Sequence, residues 1–549
     1  AIWYMVHIDS KTKGQGNLHI SGSSFPGMPG ILFGQNEKLA WGVTTAFFDQ
    51  SDVYLETLSP DGTAVIFNGN EAPILNVDHS YKIAGSDTPI VRRAQYVPHH
   101  GPILSIDLKA GTAVSLRWAA QDADTDFNFL WEIWTANTTA EAKEALNNVT
   151  SAGQSFVVAD VAGDIGWYPY NRVPSRPWMA TYKPWLPLPG DGSAEWGPYV
   201  PYADLPQVTN PSVGYVATAN NDMTGSLFDG DPTNDGQAAI QTIVADGYRH
   251  ERITELLAAK DDHTVLDMQT IQADTKSLYG ERIAPLLVAD ADSKTGLSAE
   301  ASALVSSLRA WDFYCPSGYD NTDPESPVKN TEPATIASAK GCAAFHVVWP
   351  RLRKRTFGDE IAAAGGTFRP RNQPMALAFL RPEIQSQSYW DDVSTMSVVE
   401  ERSDIVVAAL EDAALYLSAE LGSNQDDWRW GALHTVYLPA DLFDSAGVPD
   451  FSNGPFIHDG AMSTVDVAAP RNDLDDDYVN IHGASIRLTC EADSTGVACQ
   501  YQLPGGQRHH RDDGFYNSLL DKWLSNSSVD LPFSISEEIA GAVDSILVE

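Results

Sequence analysis

The residues best placed to do chemistry lie in PGMPGILFGQNEKLAWGVTTAFFDQSDVYLE, positions 26–56. Two short apolar runs, 31–33 and 39–41, flank Gly34-Gln35-Asn36, which reads as a turn. A corner of small residues follows, Val43-Thr44-Thr45-Ala46, and then the acidic Asp49-Gln50-Ser51-Asp52. A hairpin that delivers a tight corner and a carboxylate pair is a common way to build a site. The plainer alternative is a buried hairpin followed by an acidic loop.

Other catalytic signatures are absent. The chain has no G-x-S-x-G elbow, no H-E-x-x-H, no Walker loop and no dinucleotide fingerprint. The four cysteines fall as two local pairs, Cys315/Cys342 and Cys490/Cys499, without the spacing or histidines of a zinc site. Two disulfides and an oxidising compartment are the reading that fits them, with four free buried thiols as the alternative. The acidic run 473–477 lacks the EF-hand pattern and reads as a solvated loop.

The elements that must position these groups follow a coarse pattern. Residues 1–120 read as strands, with alternation at 64–67 and 113–118. A helix is expected over 139–147, capped by Thr138 or Thr139, and a hairpin over 155–170 that turns at Ala162-Gly163-Asp164. Residues 174–211 form a long Pro- and Trp-rich segment, and loops of that length usually carry function or wrap a surface. GYVATANN, 214–221, reads as a strand that ends in two amides. Helical patterns dominate from 248 to 422, over 249–259, 281–287, 301–311, 334–357 and 398–421. Strands return after Trp428, with 485–489 and 499–503 flanking the second cysteine pair. The expected division is therefore 1–247, the first part of a β-sandwich core; 248–427, a mainly helical insertion; and 428–549, C-terminal strands and a helix that complete the core.

Composition narrows the function classes. With 549 residues, 43% apolar and 20% charged, the chain has ample material for a folded core. Its 73 acidic against 35 basic residues leave a formal charge of −38, which repels phosphate backbones and anionic lipid. Neither a nucleic acid nor a membrane surface is an expected partner. No apolar run reaches the ~20 residues of a bilayer span. The chain begins AIWYMVHID, in mid-strand, which suggests a processed product or a fragment.

Segment 26–56 resembles the signature of the penicillin acylase family of N-terminal nucleophile hydrolases. Further matches keep the family's order: HGPI at 100–103, ADVAGDIG at 159–166, LPLPG at 186–190, ATANN at 217–221, YRHERI at 248–253, GASIR at 483–487 and LPGGQ at 503–507. The resemblance implies an α+β fold, a four-layer αββα sandwich with a large helical insertion. It also implies an amidohydrolase in which a serine, freed by autoproteolysis at the start of the large chain, attacks an N-acyl amide and uses its own α-amino group as base. The oxyanion donors would be the Thr45 N–H and the Asn220 side-chain amide, with Arg249 organising charge beside them. Calcium is implied, held by Asp49 and Asp52, the carbonyls of Ser51 and Pro184, and Asp231, with Asp229 competing for the last place. Phe33 would line the acyl pocket, with Trp131 or Trp134 as a second aromatic.

The chain departs from the family in three respects. Ala1 aligns roughly thirty residues past the expected serine, with the boundary error usual for such alignments. The small (alpha) subunit of the same precursor, the implied partner, is not in this sequence, and Arg508 stands where the family more often has a small polar residue. This chain alone is therefore expected to be inactive, and the intact enzyme to be periplasmic or secreted. The rival readings are an N-acyl-homoserine-lactone or cephalosporin acylase, a relative that has lost its nucleophile, and a secreted binding protein whose exposed aromatics stack on sugars.

Overall fold

Alternation of apolar and polar residues builds the first half of the chain into two sheets, antiparallel except where Leu188–Pro189 pairs in parallel with Ser51–Thr57. The structure, a computed structural model, describes residues 2–122, 127–151, 153–227, 231–234, 238–320, 330–367, 369–370, 372–381, 388–393, 395, 397–448 and 451–542. A seven-stranded sheet runs in the order Tyr4–Asp9, His19–Ser24, Phe33–Asn36, Leu39–Thr45, Gln154–Asp160, Ile165–Tyr170 and Val208–Thr209. A six-stranded sheet runs Leu188–Pro189, Ser51–Thr57, Thr112–Trp118, Gly101–Asp107, Ile90–Val97 and Leu75–Tyr81. The chain crosses from one sheet to the other at 46–50, where the small-residue corner 43–46 ends.

Both faces of the seven-stranded sheet are covered. On one face lie two helices, Asn128–Thr135 and Thr139–Leu146, whose Leu130, Ile133, Ala142 and Leu146 pack with Ile20, Leu39, Trp41 and Phe156. The second helix starts as its sequence dictates: the Thr138 side chain accepts the Glu141 N–H. On the other face lies a three-stranded sheet, Arg487–Asp493, Gly496–Gln502 and Val529–Asp530. Its Val497, Cys499 and Tyr501 meet Met5 and Ala40. Helix Val265–Gln272 covers that sheet from outside, where Gln269 donates to Thr489 and Gln500 and Gln272 donates to the Leu488 carbonyl. Helix, sheet, sheet and helix make the four layers.

Helices Leu278–Asp292, Ala299–Ala310, Pro333–Ala363, Asn372–Leu380 and Arg402–Leu421 form a separate buried core. Trp428, Trp430, Ala461 and Tyr478, from the last part of the chain, share it. A column of rings crosses that junction. His346 and His434 stack on Trp430 with centroids 4.9 and 4.5 Å away, and His458 stacks on Trp523 at 5.0 Å. Both cysteine pairs are disulfide-bonded. Among the described residues no helix is long and apolar enough to cross a membrane.

Three sequence expectations need correction. Gly34-Gln35-Asn36 lies within a strand rather than in a turn. The glycine is required by a backbone approach, because a Cβ on Gly34 would stand 2.2 Å from the Ser21 carbonyl oxygen. The turn falls at Glu37-Lys38, where Asn36 Oδ1 accepts the N–H groups of Lys38 and Leu39. Residues 214–221 form no strand. Helices Asn128–Thr135, Val265–Gln272 and Asn372–Leu380 had no counterpart in the expected elements.

Candidate active site

Thr45, Asn220 and Arg249 come together although up to 204 residues apart in sequence. Thr45 is the last residue of strand Leu39–Thr45 and stands opposite Gln154 across the ladder. The next N–H, that of Ala46, bonds back to the Gly153 carbonyl at 3.2 Å. Successive backbone groups of a strand alternate sides, so the N–H and C=O of Thr45 face away from Gln154. Asn220 lies on that side: its Nδ2 donates to the Thr45 carbonyl at 2.8 Å and to Thr44 Oγ1 at 3.0 Å.

The amide of Asn220 is held at both ends. Arg249 Nη2 donates to its Oδ1 at 2.8 Å, which fixes the NH₂ toward the strand end. Arg249 projects from the first turn of helix Tyr248–Ala258, which starts after Gly247 at φ 83°. Asn220 itself has φ 60°, a conformation that asparagine tolerates better than most residues, and its carbonyl accepts the Ala245 N–H at 2.8 Å. Turn geometry, rather than a strand end, aims this side chain.

These groups open onto a cavity of about 860 Å³ whose lining includes Thr44, Thr45 and Asn220 beside Phe25, Phe127 and Phe129. The aromatics expected there sit elsewhere. Phe33 is 5% exposed, packs edge-on under Trp3 at 4.8 Å and does not line this cavity. Trp131 is 51% exposed on the outer side of its helix. Trp134 is buried against Gly30 and donates its indole N–H to the Ile31 carbonyl at 2.7 Å. Strand parity places Phe33 in the core, and helix Asn128–Thr135 turns its flanking phenylalanines, not its tryptophans, toward the cavity.

Just past the corner lies a buried charge cluster. Arg176, fully buried, donates Nη2 to Asp49 Oδ1 at 2.8 Å and Nε to Asp52 Oδ2 at 2.9 Å. Thr242 Oγ1 donates to Asp49 Oδ2 at 2.8 Å, and the Trp196 indole donates to Asp52 Oδ2 at 2.6 Å. Burial pushes the Asp49 carboxyl up, with the Arg176 charge opposing it and the Asp52 charge adding to it. Gln241, also fully buried, donates to the Ala46 carbonyl at 2.6 Å and accepts the Met223 N–H at 2.8 Å. Sequence reasoning missed Arg176, Gln241 and Trp196. The one available signal was a lone arginine inside the apolar, Pro-rich 174–211 segment.

Asp52 Oδ1 is buried and has no hydrogen-bond partner among the described residues. Two carboxylates against one guanidinium leave the cluster one negative charge in excess, and an uncompensated buried oxygen is costly. A hard cation fits both facts. Ser51 opens strand Ser51–Thr57 opposite Trp118, and Pro184 lies in the turn closed by Leu186 N–H to the Lys183 carbonyl. The Asp231 carboxylate is turned to Thr233 at 2.9 Å and Lys183 at 3.7 Å. Asp229 lies outside the described residues.

Comparison with known proteins gives this geometry a context. Residues 1–539 match the family model for penicillin amidase. The chain is 24% identical to an acyl-homoserine lactone acylase QuiP of Pseudomonas aeruginosa, over 97% of this chain and 63% of that protein. It is 35% identical to the penicillin acylase 2 proenzyme of a Pseudomonas species, over 47% of this chain and 32% of that protein. It therefore spans less than two thirds of the length of these relatives. A thermostable penicillin G acylase from Alcaligenes faecalis superposes with a TM-score of 0.71 at 17% identity, over all of this chain and 94% of that one, and so shares its fold. The four layers are those of an N-terminal nucleophile hydrolase, and the chain belongs to the penicillin amidase family.

Proposed function

We propose that this chain is the large-subunit portion of an amidohydrolase that cleaves N-acyl amides by serine acyl transfer. The nucleophilic serine and the small subunit come from sequence outside these 549 residues, a reading supported by the partial coverage of the relatives. The observation that carries it is the pair Thr45 and Asn220 at the wall of an aromatic cavity, with Arg249 bonded to Asn220 behind them. Serine attacks the acyl carbonyl while the α-amine takes its proton. The oxyanion is received by the Thr45 N–H and by the Asn220 NH₂, which Arg249 orients and which exchanges its bond to Thr44 Oγ1 for one to the oxyanion. Collapse expels the amine and leaves an acyl-serine ester, which water hydrolyses. Phe25, Phe127 and Phe129 take the acyl chain.

The Asp49–Asp52 cluster would hold calcium, with Asp52 Oδ1 and the Ser51 and Pro184 carbonyls as ligands and Asp231 as a further carboxylate. The ion supplies charge to the corner and takes no part in bond breaking. Two disulfides support a periplasmic or secreted location. N-acyl homoserine lactones are the alternative substrate class, consistent with a relative aligned over 97% of the chain. A chain extended upstream to its serine and supplied with its small subunit should release amine from an N-acyl panel of penicillin G, cephalosporins and acyl homoserine lactones. A folded, processed enzyme that cleaves none of them rules the reading out.

A further inference from the structure

A second buried network lies beside the corner, centred on His100. This residue sits in the turn between strands Ile90–Val97 and Gly101–Asp107, is 0% exposed, and donates its backbone N–H to the Val97 carbonyl at 3.2 Å. Its Nδ1 lies 2.7 Å from Glu56 Oε1 and its Nε2 2.8 Å from Glu195 Oε1. Glu56, also 0% exposed, accepts the Ser115 hydroxyl on the same Oε1 at 2.6 Å. Tyr54 stacks on the imidazole at 3.6 Å, His99 lies edge-on at 4.3 Å and Phe67 at 6.0 Å. Arg117 stands 3.6 Å from Glu195 and 4.5 Å over the Trp196 ring.

A neutral imidazole carries one N–H and one lone pair, so against two carboxylates one of its contacts would set lone pair on lone pair. The imidazolium donates to both. Glu56 and Glu195 come from different parts of the fold. Glu56 belongs to the six-stranded sheet, Glu195 to the Pro- and Trp-rich segment whose next residue, Trp196, bonds Asp52. Gly190 lets that segment press against the sheet, because a Cβ there would stand 2.2 Å from Glu56 Oε2.

We propose that His100 is a positioning residue: as an imidazolium it clamps the 188–196 segment to the sheet through Glu195 and Glu56, and so holds Trp196 on Asp52 beside the corner. The electrostatics agree. Burial works against the charge on His100, yet the hydrogen bonds with Glu195 and Glu56 outweigh it and lift the group above the ordinary imidazole range. Burial likewise opposes ionisation of Glu195, but His100 and Arg117 hold its carboxyl below the usual range. His99 is pushed down, by burial first and then by the His100 charge. A raised folded value means that the clamp is complete below the unfolded imidazole value and is lost as pH rises through the folded one.

The clamp bears on turnover only through the function proposed above, so its test does not use turnover. Hydrogen–deuterium exchange of the 549-residue chain, corrected for intrinsic rates, is followed from about pH 6 to about pH 9 to span the imidazole range and the values above it. Protection of residues 193–200 should fall by about tenfold per pH unit of linkage in the wild type, and should be low and flat in His100→Gln. A flat wild-type profile, or a His100→Gln profile that follows the wild type, overturns the proposal. Should that variant not fold, Glu195→Gln must move the midpoint to lower pH, and an unmoved midpoint has the same consequence.

Discussion

At the scale of single residues, magnitudes separate the groups that matter from those that merely touch. Removing one oxyanion donor costs on the order of 10²–10³ in kcat, so Asn220→Ala in the intact enzyme should lose that much with KM little changed. Steady-state kinetics decide it, and unchanged turnover removes Asn220 from the mechanism. Arg176→Met should cost about 3–5 kcal/mol in urea unfolding, because it leaves Asp49 and Asp52 buried and unpaired. Arg93→Ala, which breaks the exposed bidentate pair with Asp78, should cost less than about 1 kcal/mol. That Thr45, Asn220 and Arg249 lie together was legible because each sits in a motif whose order along the chain survives. Arg176 was not: its partners lie 127 and 124 residues away, and no spacing links them. Phe33 and Trp131 show the limit of parity, which tells which side chains share a face but not what stands opposite.

At the scale of elements, the same substitution has opposite signs at two points of one helix. In Pro333–Ala363, Gly358 has open space where a Cβ would go, so Gly358→Ala should stabilise by about 0.5–1 kcal/mol through helix propensity and unfolded-state entropy. At Gly341 that Cβ would stand 2.4 Å from the Trp311 side chain, so Gly341→Ala should destabilise by about 1–3 kcal/mol despite the better propensity. Thermal unfolding of the two variants should shift in opposite directions, and equal shifts would contradict the packing described. Element types were legible where periodicity was long, as in the helix over 334–357. They failed where composition misleads. NFLWEIWT is rich in aromatics yet coils into a helix, and GYVATANN alternates like a strand yet makes bends that aim Asn220.

At the scale of the whole molecule, the ring column ties the helical body to the C-terminal strands and makes that junction sensitive to acid. Burial drives His346 down to about 4 and His434 down to about 3, and lowers His458 as well. Their contribution is full above the ordinary imidazole value of ~6.5 and is lost as pH falls from there toward and through the folded values. Stability to urea should therefore decline below about pH 6.5, and His434→Phe should flatten that decline. The sandwich itself was legible only through the family motifs, since no local pattern says that residues 487–502 cover residues 3–45. That covering has a consequence for biosynthesis. The sheet face around Met5 and Ala40 is closed by Val497, Cys499 and Tyr501, which emerge some 450 residues later in translation. At roughly 5–20 residues per second, the first sheet waits on the order of 20–90 s on the ribosome with an apolar face uncovered. The nascent chain is then a client for holding chaperones, and its last hundred residues set when it can be released.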